Sequence, residues 1–329
     1  MFDIWLPLLG GFVLLIVGGD LLVRGAVQVA GRLGVSPLVI GLTLVGFGTS
    51  TPELVTSVQA ALVGAPGIAY GNIVGSNIAN ILLIVGASAI LCPILVTSAA
   101  LRRDGMFMIA VSVLFAALAA TMPAGRITGA AFLLLLAGYI YVAFRQERQA
   151  APDQHGAVYD KSLALQSADP GTAPVTPAPA QGSFLVPVLI TIAGLVMIIG
   201  GGTLLVDGAV NLARSFGISE TVIGLTIVAV GTSLPELVTS VMAAWRKQGD
   251  VAFGNIVGSN IYNLLGIGGT TALIAPGPVP AEIVSFDNFV MLGASVLLIL
   301  LAWTGLKIAR WEGALLLGGY GAYVYAIWP

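Results

Sequence analysis

Two residue types that carry much of protein chemistry are almost missing from this chain. Its single cysteine, Cys92, can form neither an intramolecular disulfide nor a cysteine metal cluster. Its single histidine, His155, lies in a polar stretch, which removes histidine acid–base chemistry and His-rich metal sites from consideration. Charge is scarce as well: Asp, Glu, Lys and Arg make up 9% of the 329 residues, against roughly 25% in a soluble domain. With 57% hydrophobic residues and 43 glycines, the chain reads as an all-α integral membrane protein. The formal net charge of −2 says nothing about partners; what matters is where the few charges sit. The residues from Met1 to Trp5 hold Asp3 and no basic run, so the first apolar stretch reads as a span rather than a cleaved signal.

Crossing hydrocarbon takes about 20 mostly apolar residues per helix. Ten such runs are predicted, over 4–22, 38–63, 68–91, 106–122, 127–144, 184–205, 222–245, 251–274, 289–303 and 311–328. Residues 146–183 differ in kind. They hold Asp160, Lys161 and the proline-rich run from Pro170 to Pro179, with few large apolar side chains. They are expected to be a disordered polar linker, and no acidic cluster with calcium-loop spacing marks a regulatory domain there. The chain thus divides into a first five-helix repeat over 1–145, the linker over 146–183 and a second five-helix repeat over 184–329.

The halves align without a gap from Gly18/Gly201 to Gly86/Gly269, with about 60% identity. Five spans per half is an odd number, so the second copy enters the membrane from the opposite side, as in the inverted repeats of secondary transporters. Basic residues support this. With the N-terminus outside, Arg24, Arg32, Arg102, Arg103, Arg145, Arg148, Lys161, Arg246, Lys247, Lys307 and Arg310 fall on the cytoplasmic side. Only Arg126 and Arg214 fall outside. Both termini are then external and the linker is cytoplasmic.

The duplicated motif is Gly48-Thr49-Ser50-Thr51-Pro52-Glu53 and Gly231-Thr232-Ser233-Leu234-Pro235-Glu236, followed by Gly71-Asn72-Ile73-Val74-Gly75-Ser76-Asn77-Ile78 and Gly254-Asn255-Ile256-Val257-Gly258-Ser259-Asn260-Ile261. An ionised carboxylate deep in a bilayer costs about 3 kcal/mol or more without a partner. No Lys, Arg or His shares a span with Glu53 or Glu236, so a bound cation is the expected partner. Each proline lacks an amide hydrogen and breaks its helix, which frees backbone oxygens beside the acid. Helical spacing adds Thr49 to Glu53, lines up Asn72, Ser76 and Asn80, and repeats this with Thr232, Asn255, Ser259 and Asn263. Such an all-oxygen cage suits hard ions such as Na⁺ and Ca²⁺. The pairs Gly71/Gly75 and Gly254/Gly258 permit close helix approach. Asn77 and Asn260 point away from the stripe and are expected to bond between helices; Asp20, Arg24 and Asp207 sit near span ends, where snorkelling explains them.

These paired blocks resemble the α-repeats of the calcium/cation antiporter superfamily, in its prokaryotic sodium/calcium exchanger-like branch, and the resemblance covers the whole chain apart from the linker. It implies a ten-helix exchanger with broken helices at the α-repeats, in which Glu53, Asn80, Glu236 and Asn263 form a diamond at the midplane. It implies that the hydroxyls of Thr49, Ser50, Ser76, Thr232, Ser233 and Ser259 surround that diamond and that the carbonyls of Gly46 and Ala229 add ligands. It implies too that the first and sixth helices slide together against the other eight. One departure bears on stoichiometry: many relatives carry Asp where this chain has Asn263.

Two carboxylates are neutralised by one Ca²⁺ or two Na⁺, whereas an empty cage carries two uncompensated charges, each costing several kcal/mol in low dielectric. Occlusion without a cation is then disfavoured and exchange becomes obligatory. The expectation is Na⁺/Ca²⁺ antiport by alternating access, with the lipid bilayer and the transported ions as partners, no cofactor and no nucleic acid. Ca²⁺/H⁺ exchange is the alternative, a passive cation channel fits less well with inverted repeats, and an enzyme has no hydrolytic or cofactor motif to support it.

Overall fold

The structure is a computed structural model that describes residues 2–33, 40, 43–44, 46–96, 99–148, 155–169 and 184–328. Its helices, in chain order, are α1 (Phe2–Arg32), α2 (Thr51–Leu62), α3 (Pro66–Leu91), α4 (Ala99–Thr121), α5 (Arg126–Glu147) and α6 (Ala157–Ala168). There follow α7 (Leu185–Phe216), α8 (Glu220–Thr232), α9 (Leu234–Trp245), α10 (249–274), α11 (Ile283–Gly305) and α12 (Arg310–Ile327). Among the described residues the only named strands are two residues long, Ile94–Leu95 paired antiparallel with Lys307–Ile308.

Among the described residues six helices are long and apolar enough to cross a membrane: α3, α5, α7, α11 and most of α1 and α4. The α8 and α9 pair, bent by 49° at Ser233, makes a seventh if taken as one span. The other three expected spans lie at 38–63, partly outside the described residues, and at 251–274 and 311–328, where the chain is helical.

The first and sixth predicted spans, α1 and α7, pack antiparallel through glycines seven residues apart. These are Gly11, Gly18 and Gly25 on α1 and Gly194, Gly201 and Gly208 on α7. A Cβ on Gly11 would come within 2.6 Å of the Leu205 nitrogen, and one on Gly194 within 2.4 Å of the Leu22 nitrogen. Backbone therefore lies on backbone, the close approach that small residues permit where no hydrophobic force joins helices.

α3 fills the centre: 83% of its apolar window is buried, against 17% for α5. α10 is its sequence counterpart and is buried from Val251 to Gly269. Both widen to π-helical turns, at Asn80–Val85 and Tyr262–Ile267. Such turns recur at functional sites because they redirect side chains within an otherwise regular helix. Asn80 and Asn263 lie in them.

The expectation of a disordered linker fails over 155–169, where α6 is a docked helix; the proline-rich run lies outside the described residues. Counting large apolar residues misjudged the segment. α6 buries Ala157, Val158 and Ala164 completely, and it sits against the small residues of α10. A Cβ on Gly254 would lie 2.4 Å from Asp160 Cβ, and one on Gly258 3.2 Å from the Ala157 carbonyl. Small side chains on a ready-made glycine surface bring close packing without bulk.

Candidate functional site

Pro52 and Pro235 each occupy the first turn of a new helix, α2 and α9, where a missing amide hydrogen costs nothing. The residues before these helices, Ser50 and Ser233, have nearly the same backbone angles, φ −88°, ψ 6° and φ −83°, ψ 8°. Duplication of the motif is thus duplication of a local geometry. It sets Glu53 and Glu236 in first turns, where the helix dipole favours a carboxylate, and each is only 1% exposed.

The two halves interlock at these acids. Ser50 Oγ donates to Glu236 Oε1 at 3.1 Å, and Ser233 Oγ donates to Glu53 Oε1 at 3.0 Å. Each break therefore delivers its serine to the other half's glutamate, so the carboxylates belong to one cluster and neither faces lipid.

The asparagines divide into two groups. Asn72 donates to the Glu53 carbonyl at 3.1 Å and to Ser57 Oγ at 2.9 Å, and its Oδ1 accepts from Ser76 and Thr232. Asn255 donates to the Glu236 carbonyl, Thr239 and Ser240. These two tie the central helices to the broken ones. Asn80 donates to Asn260 Oδ1 at 3.0 Å, a bond between the halves, whereas Asn77 turns back to the Ile73 carbonyl of its own helix. Glu53 Oε2, Asn80 Oδ1, Glu236 Oε2 and Asn263 Oδ1 are all buried without a hydrogen-bond partner. Buried oxygens are rarely left so.

The carbonyls differ between halves. Ala229 accepts the Ser233 amide at 3.1 Å and is not free, while the Ser50 amide goes to Phe47 instead of Gly46. Among the described residues no cluster of three or more His, Cys, Asp or Glu side chains with metal-holding geometry occurs. A cation at this cluster would rest on two carboxylates and neutral oxygens.

Lys161, which sequence reasoning left in the linker, lies inside the cluster. Its ammonium donates to Ser259 Oγ at 2.5 Å and Thr49 Oγ1 at 2.6 Å, and reaches Ser50 Oγ at 3.3 Å and Glu236 Oε1 at 3.5 Å. The side chain is 0% exposed. No basic residue shares a span with either acid, as read from the sequence, but a lysine from outside the spans reaches Glu236. The only available signal was its isolation, as the sole Lys of a segment lying between the repeats. The Asp20 and Arg24 side chains, expected to snorkel, pair at 2.9 Å, and Arg24 also meets Asp169 at the end of α6 at 2.8 Å. A cavity of about 470 Å³ bounded by α1, α6 and α9 leads to Thr49.

A helical membrane protein with two interlocked, proline-broken segments carrying paired buried acids is the class that fold and site define. The sequence profile described as sodium/calcium exchanger protein matches residues 4–145 and 186–328, and the chain belongs to that family, one of transporters rather than enzymes. It is 36% identical over 346 residues to the sodium/calcium exchanger MaX1 of Methanosarcina acetivorans, covering 98% of each chain. It is 35% identical over 316 residues to the inner membrane protein YrbG of Escherichia coli, covering 95% of this chain and 93% of that one. A solved structure of the sodium-calcium exchanger NCX_Mj, soaked with 2.5 mM Na⁺ and 1 mM Sr²⁺, superimposes with a TM-score of 0.63 at 32% identity, covering 99% and 98% of the two chains.

Proposed function

We propose that the chain exchanges Na⁺ for Ca²⁺ by alternating access, binding both at the cluster around Glu53 and Glu236. The observation that carries this reading is the interlocking of the two buried acids, each accepting from the other half's serine, with Glu53 Oε2, Asn80 Oδ1, Glu236 Oε2 and Asn263 Oδ1 among the buried oxygens left without a hydrogen-bond partner. All are acceptors and none has a donor, which is what a hard cation requires of its ligands. Thr49, Ser50, Ser76, Thr232, Ser233 and Ser259 supply neutral oxygens around them, and the Gly46 carbonyl is the better backbone candidate of the two expected. MaX1 bears the name sodium/calcium exchanger, and NCX_Mj structures were obtained with Na⁺, Ca²⁺ and Sr²⁺, which supports the same ions for this chain.

In this reading ten helices form two inverted five-helix repeats with both termini outside and the linker cytoplasmic, and the tightly packed α1–α7 pair slides as the gate. The test is radioactive Ca²⁺ flux in proteoliposomes with Na⁺, K⁺ and pH gradients imposed one at a time. Ca²⁺ movement driven by a Na⁺ gradient is expected. Transport indifferent to Na⁺ and driven by a pH gradient would replace the assignment with Ca²⁺/H⁺ exchange.

A further inference from the structure

We propose that α6 is an autoinhibitory plug, whose Lys161 ammonium occupies one half of the cation cluster as a tethered competitor of the transported ions. This rests on the cluster being the transport site.

The ammonium is surrounded by four oxygens, all from residues assigned to cation binding: Thr49, Ser50, Glu236 and Ser259. An ammonium has three donors and no acceptor, so it uses the lone pairs that a metal ion would use. Two positive charges cannot share them, since a like charge at this distance in low dielectric is strongly disfavoured.

Duplication supplies an internal control. The counterpart residues are Thr232, Ser233, Glu53 and Ser76, and among the described residues no lysine enters between them. There the Thr232 hydroxyl reaches Asn72 Oδ1 at 3.0 Å, whereas Asn255 Oδ1, the oxygen that Thr49 would reach in the same way, has no partner. Thr49 Oγ1 accepts from Lys161 at 2.6 Å. Gly71 and Gly75 on α3 pack against Thr221, Leu225 and Ala229, and Gly254 and Gly258 on α10 pack against Ala157, Asp160 and Lys161 of α6; Leu38 and Leu42, the counterparts of Thr221 and Leu225, lie outside the described residues.

The plug is held at both ends by other elements. Asp104 of α4 accepts the first amide of α6, that of Ala157, at 2.8 Å. At the far end Arg246 donates to the Ser167 carbonyl at 2.6 Å, and Arg24 of α1 meets Asp169 at 2.8 Å. A short helix can be displaced by rising cation concentration through mass action, because only the released form exposes all the ligands. A lysine that merely completed the fold would lower activity when removed. A plug does the opposite.

The experiment compares the full-length protein with Lys161→Gln, and with a second variant in which residues 157–168 are replaced by a Gly-Ser segment of equal length. A plug seated about 90% of the time raises the apparent KM for cations about tenfold. Both variants should therefore transport Ca²⁺ with a KM about tenfold lower and a similar maximal rate. An unchanged KM in both overturns the plug while leaving the exchange reading intact if Glu236→Gln still abolishes flux. A separate readout needs no flux: acylation of lysines in the purified protein, followed by mass spectrometry. Lys161 should react far more slowly than the exposed Lys247 and Lys307 until NaCl or CaCl₂, but not choline chloride of equal ionic strength, is added. Equal reactivity from the start, or none of this salt response, overturns the proposal.

Discussion

The two halves of the buried acidic cluster were built from one motif and ended in different environments. At Glu53 the carboxylate accepts from the Ser233 hydroxyl and the Thr232–Asn72 bond is intact; at Glu236, Ser50, Ser259 and Lys161 all converge. A duplicated sequence therefore guarantees duplicated backbone breaks, but not duplicated charge. The difference enters through a segment that belongs to neither repeat.

Removing the shared feature should have the largest effect. Glu53→Gln and Glu236→Gln each take one negative charge from the proposed cation site, and Na⁺-driven Ca²⁺ flux in vesicles should fall at least about a hundredfold, on the scale of losing one partner of a buried charge pair. Wild-type-like flux in both would end the assignment. Lys161→Gln should move the other way, with a roughly tenfold fall in KM.

The paired glycines separate the halves with one kind of substitution. Gly71→Ala presses a methyl group within 2.9 Å of the Leu225 amide and should lower flux several-fold through misplacement of α8. Gly254→Ala presses against the Asp160 side chain of α6 at 2.4 Å and should dislodge the plug, lowering the KM. Identical losses of flux in the two variants would mean that α6 is structural. Serine deletions give a finer contrast. Ser233→Ala leaves Glu53 without that donor, worth about 1 kcal/mol or roughly fivefold in cation affinity, while Ser50→Ala leaves Glu236 with Ser259 and Lys161 and should cost less. Calcium titration of the purified variants measures both.

The smallest effect concerns pH. Burial pushes the Asp160 carboxyl well above the usual carboxylate range, and Asp250 of α10, Glu147 of α5 and Asp104 of α4 push it further. Arg103 and His155 sit beside Asp104 and Glu147, respectively, and Lys161 follows in the chain. Because docking raises this pKa, docking is fully favoured below the ordinary carboxylate value and weakens as pH rises through the raised one. The apparent KM should therefore fall with rising pH, and Asp160→Asn should flatten that trend; flux measured across a pH series with equal pH on both sides of the vesicle checks it.

The acids were legible because a Pro-Glu pair repeated inside apolar spans sets a charge beside a helix break twice, a costly arrangement that packing alone does not require. Asn72 and Asn255 were placed on the correct stripe, though they act as ties between helices. The glycine heptads that join α1 to α7 were present in the sequence and went unread, since single glycines in a membrane helix carry little information until a partner with the same spacing is identified. The linker was misread for a firmer reason. Its polar composition describes the segment alone, and α6 obtains its burial from a surface provided by α10.

From the amino-acid order alone came the membrane setting, the duplication, the paired carboxylates and the helix breaks, because these follow from local chemistry repeated at a fixed offset. Only the folded chain decided which oxygens stay unpaired and that Lys161 lies among them. Contacts of that kind join residues more than a hundred positions apart, and nothing in the local pattern of either partner encodes the distance between them.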